Sequence, residues 1–231
     1  MINCPICEAS ALPDEQQPQA GLHAFSTKFE CGTQIVQAFS SFEYDFEKRC
    51  DNLSNKSSME KLMYPDELKI IYSDSESKPV TSPMSLFLAG PTPRDADTES
   101  WRPQAIEYLR KINFKGYVYV PEKENGWDKT FEYKEQIEWE ESALIKSGVI
   151  LFWIPRELEK MPAFTTNIEW GVWSDRKPRK LVLGAPEDAP KMDYMRYYAD
   201  KLGIPNKYTL NEALDSAVEK IEYEAKRSPF K

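Results

Sequence analysis

Val149-Ile150-Leu151-Phe152-Trp153-Ile154, followed by Pro162-Ala163-Phe164-Thr165-Thr166-Asn167-Ile168-Glu169-Trp170-Gly171, runs from a β-prone apolar stretch into the marks of a helix start, and this pair decides the fold. A strand, a loop and an acid in the first helical turn make a unit that repeats outward along the chain. Short apolar runs at Ser85 to Ala89, Tyr117 to Val120 and Leu181 to Leu183 alternate with longer helical patterns near residues 100–113, 132–147, 166–176, 191–202 and 210–226. Leu68 to Tyr72 reads as a short edge strand leading into the same domain. Strands alternating with helices predict an α/β fold, a parallel sheet with helices on both faces. Ligands of such sheets bind beyond the carboxyl ends of the strands, near the switch in strand order. Gly90-Pro91, Pro121-Glu122, Pro155-Arg156 and Gly184 all lie at those ends.

The helix start itself supports two readings. With Thr166 as N-cap, Glu169 falls at the third helical position, where the helix dipole favours the ionised carboxylate by up to about 1 kcal/mol. That describes a charged, aimed nucleophile. The same Thr-x-x-Glu spacing also describes a capping box, in which the acid closes on the backbone of its own helix.

The 231 residues suffice for one large domain with a small appendage. All six Trp fall between Trp101 and Trp173, so the hydrophobic mass sits in the second half. A net charge of -8 argues against extended binding to nucleic acid, which needs clustered Lys and Arg, whereas a small anion needs only one or two arginines. Met1-Ile2-Asn3-Cys4-Pro5 lacks the basic start of a signal peptide, and no apolar run reaches the roughly 18 residues of a membrane span. The expectation is a soluble cytoplasmic protein with no membrane partner.

Residues 1–50 hold all four cysteines and the only histidine, His23, and no Trp. This composition predicts a Cys-rich module over 1–50, a polar linker over 51–65 and the main domain over 66–231. Cys4, Cys7, Cys31 and Cys50 are candidates for a closed zinc site resembling a zinc ribbon, with His23 as an alternative ligand to Cys50. Reduced, unligated thiols are the other reading.

With no histidine in the main domain, Ser-His-Asp and Cys-His chemistry is excluded there. Neither a P-loop nor a Gly-x-Gly-x-x-Gly fingerprint is present. Carboxylates remain. In Glu135-Gln136-Ile137-Glu138-Trp139-Glu140-Glu141-Ser142-Ala143-Leu144, Ile137 and Leu144 share a helix face on which Glu140 and Glu141 also fall. Burial there would raise a carboxyl pKa and make a proton donor near neutral pH. The other reading has Trp139 and Ala143 on the buried face and all four glutamates in water.

Leu86-Phe87-Leu88-Ala89-Gly90-Pro91, Trp139-Glu140, Phe152-Trp153-Ile154-Pro155-Arg156 and Phe164-Thr165-Thr166-Asn167-Ile168-Glu169-Trp170-Gly171 together resemble the nucleoside 2-deoxyribosyltransferase-like family over roughly residues 84–202. The resemblance implies a flavodoxin-like sheet, no cofactor for catalysis, and a glutamate at the position of Glu169 that attacks the anomeric carbon of a 2'-deoxynucleoside. It also implies a deoxyribosyl-enzyme resolved by a second base or by water, and a homo-oligomer. Glu140 aligns with the acid that holds or protonates the substrate, through an Asp-to-Glu change. Phe87, Gly90, Pro91, Thr166, Asn167 and Trp153 are the further substrate-binding candidates. Ala163 stands where the family has an aspartate associated with the base, and Phe87 lacks the aromatic hydroxyl often found there. Arg94 and Arg102, and Arg156 after another strand end, are candidates for a 5'-phosphate, or are solvated or paired with neighbours such as Asp95 and Glu99. The competing reading from another class is a nonenzymatic adaptor that has kept the fold and lost turnover.

Overall fold

A computed structural model of the chain describes residues 17–18, 24–28, 34–38, 44–48, 61–94, 97–124 and 133–227. The chain divides into two compact units, Met1–Lys61 and Leu62–Lys231. In the first, β1 (Gln17–Pro18), β2 (Ala24–Lys28), β3 (Gln34–Ala38) and β4 (Tyr44–Lys48) form an antiparallel sheet in sequential order. Cys4, Cys7, Cys31, Cys50 and His23, and with them the zinc reading, lie outside the described residues.

The second unit is a six-stranded sheet in which every pairing is parallel. Its strands are β5 (Leu68–Tyr72), β6 (Ser82–Ala89), β7 (Gly116–Val120), β8 (Ser147–Trp153), β9 (Leu181–Gly184) and β10 (Asn206–Lys207), in the order β10-β9-β8-β6-β7-β5. Without the added edge strand β5, the order is the flavodoxin-like one, in which the chain first steps to one side of β6 and then crosses to the other. That reversal opens a crevice at the carboxyl ends of β6 and β8. The two-residue β10 is the one strand here that the apolar pattern does not announce, because Asn206 and Lys207 are both polar.

Helices α1 (Arg102–Lys111), α2 (Tyr133–Lys146), α3 (Phe164–Arg176) and α4 (Asp193–Leu202) connect strands β6 to β10, and α5 (Leu210–Arg227) follows β10. Because side chains alternate along a strand, each strand feeds both faces of the sheet. Phe87 and Ala89 of β6 and Ile150 and Phe152 of β8 pack with Trp139, Ala143, Trp170, Trp173 and Met195, so α2, α3 and α4 cover one face. Leu86, Leu88, Val149, Leu151 and Trp153 pack with Ala105, Leu109, Ala213 and Leu214, so α1 and α5 cover the other. Burial on both faces explains why these strands read as continuous apolar runs. Each fully buried Leu, Ile or Phe here contributes about 1.5 to 3 kcal/mol. Among the described residues no helix is long and apolar enough to cross a membrane.

The close approach of β6 and β8 depends on Gly90, whose φ is +152°. A Cβ there would lie 2.1 Å from the carbonyl oxygen of Trp153 and 2.9 Å from the Trp101 ring. Since one obstacle is backbone, neither strand end can yield cheaply. Gly90→Ala is expected to destabilise the domain by about 3 kcal/mol, measured by urea unfolding. An unchanged midpoint would contradict the close approach.

Candidate active site

A cavity of about 610 Å³ occupies the crevice beyond β6. Phe87, Gly90 and Pro91 come to it from the end of β6, Gln136 and Glu140 from α2, and Ala163, Phe164, Glu169, Trp173 and Arg176 from the start and face of α3. Glu169, Trp173 and Arg176 follow the helical spacing of four and then three residues, which places them on one stripe.

The start of α3 differs from its expected form. The N-cap is Ala163 rather than Thr166, and it makes no side-chain cap hydrogen bond. Its backbone is left-handed, φ 61° and ψ 38°, a conformation that costs a non-glycine residue about 1 to 2 kcal/mol. Helix then begins three residues before the start that a Thr166 cap implies. Thr166 becomes an interior residue, 1 % exposed, and Glu169 lies in the second turn, out of the strongest field of the helix dipole. Neither the capping box nor the dipole therefore governs Glu169.

What governs Glu169 is Glu140. The two half-buried carboxyl groups hydrogen-bond to each other. Burial, then the charge of Glu140 and the hydrogen bond with it, push Glu169 up to about 8. Burial also raises Glu140, while Gln136, Arg102 and Glu169 act in the opposite direction. Gln136, one turn earlier on α2, donates from Nε2 to Glu140 Oε1 at 2.8 Å. Two carboxyls in contact cannot both ionise cheaply, so the pair keeps one proton near neutral pH. The shared proton means that Glu169 does not rest as the free, independent carboxylate the capping argument expects.

The Ile137–Leu144 stripe of α2, with Glu140 and Glu141, borders the cavity, while the buried face of the helix runs through Trp139 and Ala143. Trp139, Ala143 and Leu144 are buried, Ile137 is 47 % exposed, and Glu141 is exposed. Only Glu140 is held half-buried, at the edge of the Trp139–Ala143 face where that face meets the cavity. The outcome combines the two readings of this helix: the Trp139 face is the core face, and two of its four glutamates, Glu140 and Glu141, nonetheless line the cavity.

Arg102 is 1 % exposed and spends its guanidinium on the turn after β6. Its Nε donates to Leu88 O at 3.0 Å, Nη2 to Gly90 O at 2.8 Å, and Nη1 to Pro91 O at 3.3 Å and Thr92 Oγ1 at 3.2 Å. Nη1 also pairs with Glu122 Oε1 at 2.5 Å, and Ser100 Oγ donates to the same carboxylate. Arg102 therefore shapes the wall of the cavity, and its charge lowers the proton affinity of both glutamates. Arg94 is exposed at the cavity edge, its guanidinium 5.3 Å from the centroid of the Phe164 ring.

The structure thus gathers Glu140, Glu169, Phe87, Gly90, Pro91, Arg94 and Arg102 around one space. Thr166, Asn167 and Trp153 are outside its lining. Trp153 alternates with Phe152 on β8 and packs into the α1–α5 face. Asn167 accepts a hydrogen bond from Arg156, away from the cavity. Trp173, Arg176 and Gln136 are lining residues that the sequence reading passed over. Stepping four and seven residues on from Glu169, and four back from Glu140, finds all three.

The second unit is a doubly wound α/β domain with a proton-sharing pair of glutamates at its strand-order switch. Residues 83–189, from β6 to the loop after β9, match the family described as nucleoside 2-deoxyribosyltransferase like, and both glutamates fall inside that span. No curated protein matches the chain.

Proposed function

We propose that this domain cleaves and transfers at the N-glycosidic bond of 2'-deoxynucleosides or their 5'-monophosphates. The observation that carries this reading is the hydrogen-bonded Glu140–Glu169 pair facing the cavity. The single proton of the pair passes along that hydrogen bond from Glu169 to Glu140. Ionised Glu169 then attacks the anomeric carbon as the bond to the base breaks, its electrons leaving with the base nitrogen. Glu140 returns the proton to the departing base, and the sugar remains as an ester on Glu169. A second base, or water, reverses the steps.

Incubation with a deoxynucleoside and a second free base tests the reading. Base exchange identifies a transferase, free sugar a hydrolase of the same chemistry, and no reaction favours a binding or adaptor role. Comparing a deoxynucleoside with its 5'-monophosphate tests Arg94 as the phosphate ligand, since most of the Arg102 donors are engaged by the protein.

Activity should follow a bell in pH, because the competent form of the pair holds one proton. The acid limb lies above the ordinary carboxyl value, and the alkaline limb lies near 8, where the last proton leaves. Glu140→Gln is expected to cost about 10²- to 10⁴-fold in kcat and to remove the alkaline limb, since Glu140 is what raises Glu169 beyond the effect of burial. A variant profile that keeps the parental limb would contradict the pairing.

Two further proposals rest on resemblance and composition. A second copy of the chain covers the apolar edge of α3, where Phe164 is 64 % and Ile168 70 % exposed. Ile168→Glu should then shift the parental species toward monomer in sedimentation. Zinc on Cys4, Cys7, Cys31 and Cys50 would appear as about one ion per chain in metal analysis.

A further inference from the structure

Asn167 sits on α3 two residues before Glu169, about 200° around the helix and therefore on its opposite side. Its Oδ1 accepts from Arg156 Nη2 at 2.5 Å. Arg156 is 7 % exposed, and among the described residues no carboxylate lies within ion-pair distance of it. Its other contacts are Nη1 to Lys191 O at 3.3 Å and Nη2 to Met195 Sδ at 3.8 Å, and its Nε is buried without a partner. A buried guanidinium held by neutral acceptors is costly, which sets it apart from an ordinary surface arginine. The residue is also rigidly delivered. Its N–H donates to Ile154 O at 2.9 Å, just past the end of β8, and Glu157 and Met161 bridge the loop that follows.

Helix α3 needs such a hold. Its N-cap supplies no side-chain cap hydrogen bond, and of its first six residues only Thr166 is buried, while Phe164, Thr165, Asn167 and Ile168 are exposed. The arginine therefore ties the thinly packed start of α3 to the end of β8, the loop before α4, and α4 itself. A carboxyl group stands roughly 6 Å from its helix axis, so a turn of about 20° about that axis would carry Glu169 roughly 2 Å, enough to break its hydrogen bond to Glu140.

We propose that Arg156 and Asn167 form a latch that sets the rotation of α3 and so positions Glu169 against Glu140. Neither residue touches the substrate, and the proposal rests on Glu169 being the nucleophile only where turnover is the readout.

The test compares Arg156→Met, Asn167→Leu, the double variant and Asn167→Asp with the parent, well below the lowest melting temperature in the set. A latch predicts that each single removal lowers kcat about 10- to 100-fold with KM within about twofold. The double variant should be no worse than either single one. Asn167→Asp keeps an acceptor for the arginine and should restore kcat while raising the melting temperature. A lower melting temperature with parental kcat would overturn the latch. If the parent turns over no deoxynucleoside, the functional reading fails and the latch is judged by carbon-13 titration of the Glu169 carboxyl. A midpoint moved in Arg156→Met supports it, and an unmoved midpoint overturns it.

Discussion

On the proposed reaction, Glu169→Gln is expected to abolish base release, lowering kcat by about 10⁴-fold or more in a protein that remains folded. Glutamine fits the same space and can still hydrogen-bond to Glu140, so the cavity keeps its shape. What it lacks is a carboxylate oxygen able to form the ester with the sugar. The folded variant should also be recognisable by its stability. Between the ordinary carboxyl value of 4.5 and about 8, native Glu169 keeps its proton while the unfolded chain gives it up, so the contribution of this residue to stability falls as pH rises through that window. Glutamine has no proton to lose. The drop in urea midpoint from pH 5 to pH 8 should therefore be smaller in the variant than in the parent. Parental turnover in purified Glu169→Gln would show that another group attacks the sugar.

Arg102→Met is expected to cost about 3 to 5 kcal/mol, or roughly 10 °C in melting temperature for a domain of this size. Removing the guanidinium strands Glu122 beside its former partner and leaves the carbonyls of Leu88, Gly90 and Pro91 without their shared donor. The substitution also removes a positive charge that lowers both acids, so the alkaline limb of the pH profile should move upward. Arg102→Lys separates the two effects. It keeps the charge, and with it most of the pH profile, but its single ammonium cannot match the fork that reaches three carbonyls. Thermal unfolding of Arg102→Met at the parental temperature would mean that the turn after β6 does not depend on this side chain.

The parallel sheet was legible because its strands are buried on both faces, which leaves apolar runs that helical periodicity cannot imitate. The edge strand Leu68–Tyr72 was read with its observed bounds. The polar β10 was not, since pairing with β9 rather than composition defines it. At the site, the resemblance assigns both glutamates to one substrate, but nothing in the sequence announces their direct contact. Glu140 and Glu169 lie on different helices, and only the crossing of the chain from β7 to β8 brings those helices to the same crevice. The start of α3 was misplaced because Thr-x-x-Glu is a strong local signal, whereas a left-handed Ala163 has none; glycine or asparagine would have marked it. Trp153 was misjudged for a simpler reason. One step along a strand reverses its face.

Arg102 stands on α1, in the layer behind the sheet, while both acids stand on helices in front of it. Its charge reaches them around the end of β6, so the proton affinity of the glutamate pair is set in part by a side chain anchored in the layer behind the sheet. Substitutions at the α1–α5 packing that shift Arg102 would retune the optimum pH without altering a single wall residue. A search for variants adapted to a more acidic or more alkaline medium should therefore begin on the back of the molecule.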